Sequence, residues 1–456
     1  MPLPVRPNPQ AVSFWQANDA PPKPGEPLRG DIDVDVAIVG GGFTGLSVAR
    51  EIRADDPSAR VAVLEGRFVG YGASGRNGGF NMSLFGLEPE VTILRWGVER
   101  ATQAQRYMNR AVAYVKDLVE KHGLKSDYQH PGMLRVAYNG AQLRRLEKGM
   151  ELHHRLGVAD RYAFLAKAEV QAMVRSDKFQ GGVFEAESGI LNPYRHVREL
   201  KRLAEAAGAA VYEATPVDNI ARDAKGIRLT TPNGTVTCRK LVIAVNAWSG
   251  FIRGLPKIRS RQTPVWTCQV VTAPLSERQW EEIDWSGRAS IEDNRQLIHY
   301  FRRTVCGRIT MGGGDAFRVR GEPMGQWDAA STWDNLERHL KWLFPVLKDV
   351  KIDYRWGGPV SANLDMTPEI GFIGDERIVY ANGCIGHGVS LSQLNGRTIA
   401  DLVQGKRTDL TDFWIINRKA IPWPPEPLGT VAFGAIRSGL RLFDWYEERD
   451  LDKSRA

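Results

Sequence analysis

Cysteine is scarce in this chain, with Cys238, Cys268, Cys306 and Cys384 the only four among 456 residues. No two stand at metal-site spacing. So few in so long a chain exclude a disulfide-built scaffold and fit a reducing compartment. Long apolar runs are also missing. No stretch reaches the roughly 20 residues that cross a bilayer as a helix, so no transmembrane span is expected. The opening MPLPVRPNPQ lacks the apolar core of a secretory leader, and a cytoplasmic location is expected. Blocks of one charge sign are absent as well. The net charge of +8 comes from 61 basic and 53 acidic residues interleaved along the chain, which argues against a nucleic-acid partner. His153 and His154 lie on a charged helical stretch with no further ligand in register, so no metal site is expected. There is no internal repeat. The length and a hydrophobic content of 43% suit two or more modules.

What is present is concentrated in residues 34–65. The apolar run Val36-Ala37-Ile38-Val39 has the composition of a buried parallel strand. It ends on Gly40-x-Gly42-x-x-Gly45, with Phe43 and Thr44 between the last two glycines, and a helical segment follows over 46–54. A second strand, 61–64, delivers Glu65 twenty residues after Gly45. Gly40 permits the tight turn, Gly42 lets backbone approach a pyrophosphate, and Gly45 lets helix and strand pack closely. The helix N-terminus offers N–H groups and positive dipole to phosphates. Glu65 is placed to accept hydrogen bonds from an adenosine ribose, and its charge would repel a 2′-phosphate. No second unit of this kind occurs, which disfavours a nicotinamide partner.

Elsewhere the patterns alternate between helix and strand. Residues 1–30 read as a Pro-rich lead-in anchored by Phe14 and Trp15. Helix-compatible stretches at 91–122 and 140–156 flank a strand-like 132–137. Asn192-Pro193 opens a helix that Gly208 closes, and a short strand follows at 209–212. Residues 226–231 with the Asn233-Gly234 turn predict a meander, and 241–245 predict a buried strand closing on Asn246-Ala247. Residues 262–320 show period two, hence antiparallel sheet. A last strand at 378–381 ends in Gly383-x-x-Gly386-His387-Gly388, before a helix at 390–403.

The loop Gly72-Ala73-Ser74-Gly75-Arg76-Asn77-Gly78-Gly79 narrows a dinucleotide to a flavin. So many glycines bring several backbone N–H groups against a phosphate or a flavin edge. With this loop, the chain resembles the FAD-dependent amine oxidoreductases of the D-amino-acid oxidase superfamily, nearest the branch that contains gamma-glutamylputrescine oxidase. The resemblance rests on ordered blocks: the GxGxxG unit, 72–79, 213–217, 244–247, Trp356-Gly357-Gly358-Pro359 and Gly386-His387-Gly388-Val389. It implies an α/β fold, a Rossmann-like FAD-binding domain interleaved with an α+β substrate domain on an antiparallel sheet. The expected segments are FAD-binding at 1–87, 186–255 and 351–410, substrate-binding at 88–185 and 256–350, and a C-terminal extension at 411–456.

The same resemblance implies that Val217 presents backbone to the adenine, that Asn246 and Ala247 lie along the ribityl-pyrophosphate, and that Gly386 to Val389 hold the pyrimidine edge. Negative charge that develops at that edge suits a helix N-terminus. The implied reaction oxidises a C–N bond of an amine to an imine that hydrolyses. Tyr300, Phe301 and Trp356 are the aromatic candidates for the pocket. His387 reads either as a polar group over the flavin or as a histidine holding its loop. Arg302 reads either as a ligand for a substrate carboxylate or as a solvated strand arginine. The glycine loop has no His or Cys, so FAD is expected to be non-covalent. Sarcosine-oxidase-type relatives use a lysine from the corresponding sheet to promote reaction with oxygen, and this chain has none between Lys257 and Lys341. Oxygen and a quinone-type acceptor both stay open. So do two other readings, a 2-hydroxy-acid or polyol dehydrogenase and a non-catalytic flavoprotein. Residues 428–446 fit an amphipathic helix that packs on its own domain, on a partner, or on a membrane surface.

Overall fold

The two large sheets follow from where the apolar runs are continuous and where they alternate; a third, two-stranded sheet pairs Phe80–Asn81 with Gly189–Ile190. The computed structural model describes residues 12–19, 23–319 and 329–449. The first eight-stranded sheet runs Glu369–Phe372, Ile378–Asn382, Gly234–Ile243, Ile32–Val39, Val61–Leu64, Ala210–Tyr212, and the last five of these are parallel. Strands Asn219–Arg222 and Ile227–Thr231 extend Gly234–Ile243 as an antiparallel meander. Val36 to Val39 show no alternation because both faces are covered. Ile38 packs with helix residues Leu46 and Leu394, while Ala37 and Val39 pack against Ile227 and Leu229 of the meander. Ile32–Val39 is flanked on one side by the next strand and on the other by a strand from much later. Its carboxyl end is therefore a topological switch point, the crevice where open α/β sheets bind ligands.

The second eight-stranded sheet runs Ile352–Ala362, Thr263–Thr272, Ile309–Arg318, His299–Arg303, Ser290–Asp293, Met133–Ala137, Gly181–Glu185, Tyr162–Ala166. Its pairs are antiparallel except Ser290–Asp293 with Met133–Ala137, which are parallel. That junction joins two distant stretches of chain, so no hairpin dictates its direction. One face buries Trp266, Trp285, Phe301 and Phe344 with the helix Ala330–Leu343. The other faces the glycine loop.

Four local expectations are corrected. The first helix begins at Phe43, with Gly42 as its N-cap, rather than at Leu46. The long helix Pro89–His122 is broken at Gly97, whose φ of +78° only glycine adopts easily. Ile352–Ala362, expected in the third FAD-binding segment, pairs along its length with Thr263–Thr272 and forms the edge of the substrate sheet. The stretch from Thr411, expected as a C-terminal extension, returns to the cofactor domain. There Phe413 and Ile415 enter the core, and the Asn417 N–H donates to Ile370 O at 2.9 Å.

Candidate active site

The glycines of the first turn are held by close contacts. Gly40 has φ +109°, and a Cβ there would stand 2.5 Å from Ala244 O. A Cβ on Gly45 would stand 2.0 Å from Gly40 O, and one on Gly42 would stand 2.9 Å from Ser74 Oγ. That hydroxyl accepts the Phe43 N–H at 3.0 Å, so Ser74 of the glycine loop sits over the helix start. Phe43, expected among the cofactor-binding residues, buries its ring against His196, which leaves its backbone near the turn. Thr44 is half-buried in the same helical turn. Glu65 accepts Gly41 N–H at 2.8 Å and Arg67 N–H at 3.0 Å. Burial holds its carboxyl above the usual range against the pull of those two groups. Its backbone carbonyl accepts the Thr215 N–H, which brings the segment bearing Val217 beside the strand end.

The glycine loop is fixed by its carbonyls. From Gly70 to Gly79 every carbonyl oxygen accepts a hydrogen bond from the protein. Gln16 donates to Gly70 O, Ser13 to Gly75 O and Trp15 to Asn77 O, all from the lead-in. Gln269 and Trp356 both donate to Arg76 O, and Arg302 donates to Gly78 O. Leu191 N–H meets Gly79 O, the Arg76 guanidinium meets Tyr71 O, and bonds within the loop satisfy Gly72, Ala73 and Ser74. With its acceptors engaged inward, the loop has N–H groups left to offer a phosphate or a flavin edge. Burial lowers the Arg76 pKa to about 10.

This arrangement redefines three candidates. Arg302 is neither a solvated strand residue nor a free carboxylate ligand. It is 4% exposed, donates to Gly78 O at 2.6 Å and Leu191 O at 2.7 Å, and stacks over Trp15. Trp356, expected in the pocket, is fully buried between the loop and Phe14. Phe301 points to the opposite face, into the core with Trp285 and Phe344. Alternation along His299–Arg303 explains the split, since Tyr300 and Arg302 share the loop-facing side. Tyr300 is half-buried and meets the Phe80 ring edge-on at 5.4 Å.

His387 caps the helix Gly388–Val403, whose first N–H groups lack intrahelical partners. Its Nδ1 is buried without a hydrogen-bond partner, and burial, helped by Arg135, lowers its pKa to about 4. Gly386 has φ +84° and open space where a Cβ would be. Val389 is packed in the core, so only its backbone is available. Asn246, at φ +47°, accepts Ser361 N–H and lies 3.9 Å from Cys384 Sγ, and the Ala247 carbonyl is tied to Gln262. The blocks at 40–45, 72–79, 244–247, 356–361 and 383–389 thus meet at one place. A backbone cradle that any Cβ would fill, two helix N-termini and an orphaned imidazole nitrogen fit a flavin dinucleotide.

Sequence reasoning missed a cavity beside this site, lined in part by Met82, Ser83, Arg135, Tyr162 and Glu185. No short motif marks it, because its residues come from separate strands. It also missed the buried cluster Asp293, His299 and His339. The Arg295 guanidinium lies 3.1 Å from Asp293 and against His299, so a cation already stands where a metal ion would sit.

Residues 35–402 match the family described as DAO, FAD dependent oxidoreductase. The chain is 31% identical to gamma-glutamylputrescine oxidoreductase of Escherichia coli (strain K12), over 93% of this chain and 96% of that protein. Among solved structures, glycine oxidase from Geobacillus kaustophilus superposes with a TM-score of 0.71 at 23% identity, covering 85% of this chain and 99% of that one. L-proline dehydrogenase from P. horikoshii does so with 0.70 at 22%, covering 84% and 96%. These two likenesses concern the fold.

Proposed function

Because the chain belongs to the DAO family of FAD-dependent oxidoreductases, we propose that it oxidises the C–N bond of a primary or secondary amine or amino acid. The observation that carries this is the gathering of the Gly40 turn, the glycine loop, Asn246 and the 383–389 segment about one end of the parallel sheet. FAD, when bound, supplies the hydride acceptor. The residues we assign to hold it are Gly40, Gly42, Thr44, Gly45 and Glu65, the loop from Gly72 to Gly79, Val217, Asn246, Ala247, and Gly386 to Val389. The Gly388 helix N-terminus would offer its free N–H groups and positive dipole to negative charge on a bound flavin. His387, neutral above about pH 4, adds no positive charge that would repel the amine. Tyr300 and Phe80 wall the approach. Arg302 and Trp356 act as positioning residues through the loop.

FAD is held non-covalently in this reading. The one thiol beside the site, Cys384, is kept protonated by burial and is a poor nucleophile. All four cysteines are unpaired, which fits a cytoplasmic location. The electron acceptor is oxygen or a quinone.

No helix among the described residues is long and apolar enough to cross a membrane. The helix Leu428–Glu448 nevertheless exposes Leu428, Val431, Leu442, Phe443, Trp445 and Tyr446. Arg441, 3.3 Å from Asp315, lies among them, Arg449 follows the helix beside the Tyr446 ring, and the chain carries +8 overall. We read this face as a contact for an anionic lipid surface.

Anaerobic bleaching of the flavin by a panel of amines and 2-hydroxy acids tests the reaction class. Bleaching by an amine supports it, whereas bleaching only by hydroxy acids would replace it with alcohol oxidation. On admitting air, rapid recovery with peroxide identifies oxygen as acceptor, and slow recovery points to a quinone.

A further inference from the structure

The substrate sheet links the flavin loop to the unassigned cavity through one row of side chains. Trp356, Gln269, Tyr300, Glu292 and Arg135 stand on the same face, and direct strand pairs or the intervening Gly312 set them in register. The first two donate to the loop at Arg76 O, and the last lines the cavity. Met82 and Met133 join the two regions, since both line the cavity and both pack with Phe80 and Tyr300. Ser390, in the first turn of the His387 helix, donates to Met82 O at 2.7 Å. The cavity holds about 90 Å³, room for several water-sized groups.

Its charges are unequally matched. Arg135 is bridged to Glu88 at 2.7 Å and Glu292 at 3.1 Å, and Arg145 is held by Glu447 at 2.6 Å. Glu185, only 4% exposed, has the hydroxyls of Ser83 and Ser188 as hydrogen-bond partners and no ion pair among the described residues. A buried carboxylate without a counter-ion is costly. Burial indeed holds the Glu185 carboxyl above its usual range, despite the two hydroxyls and the more distant Arg135 and Arg161. Glu185 is therefore left in the wall without a positive charge of its own.

We propose that the substrate supplies that charge: the cavity takes the far, protonated amino group of a di- or polyamine whose near amine is oxidised beside Tyr300 and His387. Three strand spacings across and two residues along the strand separate Tyr300 from Glu185, about 16 Å between backbones, which the two side chains shorten to the reach of an extended alkyl chain. This rests on the amine reading above and assigns Glu185 as its specificity determinant.

The test is anaerobic reduction of the holoenzyme by α,ω-diamines, by n-alkylamines of matched length, and by ω-amino acids of matched length. Diamines are expected to exceed monoamines at least about tenfold in reduction rate over KM, the effect of one charge-assisted pair. Glu185→Gln should bring that ratio close to one, and Glu185→Asp should retain part of it. Equal use of diamines and monoamines, preference for ω-amino acids, or an unchanged ratio in E185Q would each overturn the assignment while leaving amine oxidation intact. Failure of every amine to reduce the flavin would instead remove both. If E185Q does not retain flavin, the unmodified enzyme's diamine-to-monoamine ratio decides alone.

Discussion

A methyl group added at Gly45 would stand 2.0 Å from the Gly40 carbonyl oxygen, so helix and turn must separate. Overpacking of this kind costs about 1–3 kcal/mol. Gly45→Ala is expected to weaken flavin binding by about tenfold or more, read as flavin retained after gel filtration. Arg302 illustrates the opposite loss. Arg302→Met leaves Gly78 O and Leu191 O without their donor, at about 1–3 kcal/mol per buried group. The melting temperature should fall, with the flavin leaving early in the transition. His387 sets a pH dependence. Its folded pKa of about 4 lies below the ordinary 6.5, so the unfolded chain binds the proton first. Stability is unaffected above that upper value and falls as the pH drops towards the lower, by about 1.4 kcal/mol per unit. Melting curves across this window should show a smaller decline for His387→Asn than for the unmodified protein.

At the scale of elements, the helix Phe14–Ala17 matters beyond its four residues. Ser13 and Gln16 form a capping box, and Ser13, Trp15 and Gln16 together reach three carbonyls of the glycine loop. Ser13→Ala removes the cap, at about 1 kcal/mol, and also the donor to Gly75 O. Faster flavin dissociation in stopped flow is expected, and an unchanged rate would mean that the loop holds its shape without the lead-in. The aromatic pair Phe14-Trp15 was legible as an anchor because two bulky rings interrupt a polar, Pro-rich stretch. Its target was not, because the loop it grips lies about 60 residues away and the contacts are to backbone carbonyls.

For the whole molecule, the helix Leu428–Glu448 presents most of the large apolar side chains left exposed among the described residues, with Leu442 at 63% and Trp445 at 58%. Co-sedimentation with vesicles containing anionic lipid should exceed that with neutral vesicles and fall with added salt. The double variant Leu442→Ser and Trp445→Ser should lose most of it. A stable dimer in solution with no vesicle binding would identify a second copy of the chain as the occupant instead.

The first βαβ unit, the glycine loop and the strand-to-helix turn at 383–389 were readable from residue types alone. Each is a local device in which glycine spacing and flanking apolar runs dictate the backbone. The family follows from the order of those blocks. Which side of a strand a residue takes, and what meets it there, depends on pairing between distant segments. Arg302 and Trp356 look like pocket residues in the sequence, and only the packed sheet turns them into supports for the loop. Glu185 carries no local signal at all. It became the unmatched charge of a cavity when three strands from separate stretches placed it beside Arg135, whose own charge was already taken by Glu88 and Glu292. Local backbone preference acts over a few residues and survives in the sequence, whereas burial and charge balance are properties of the assembled sheet.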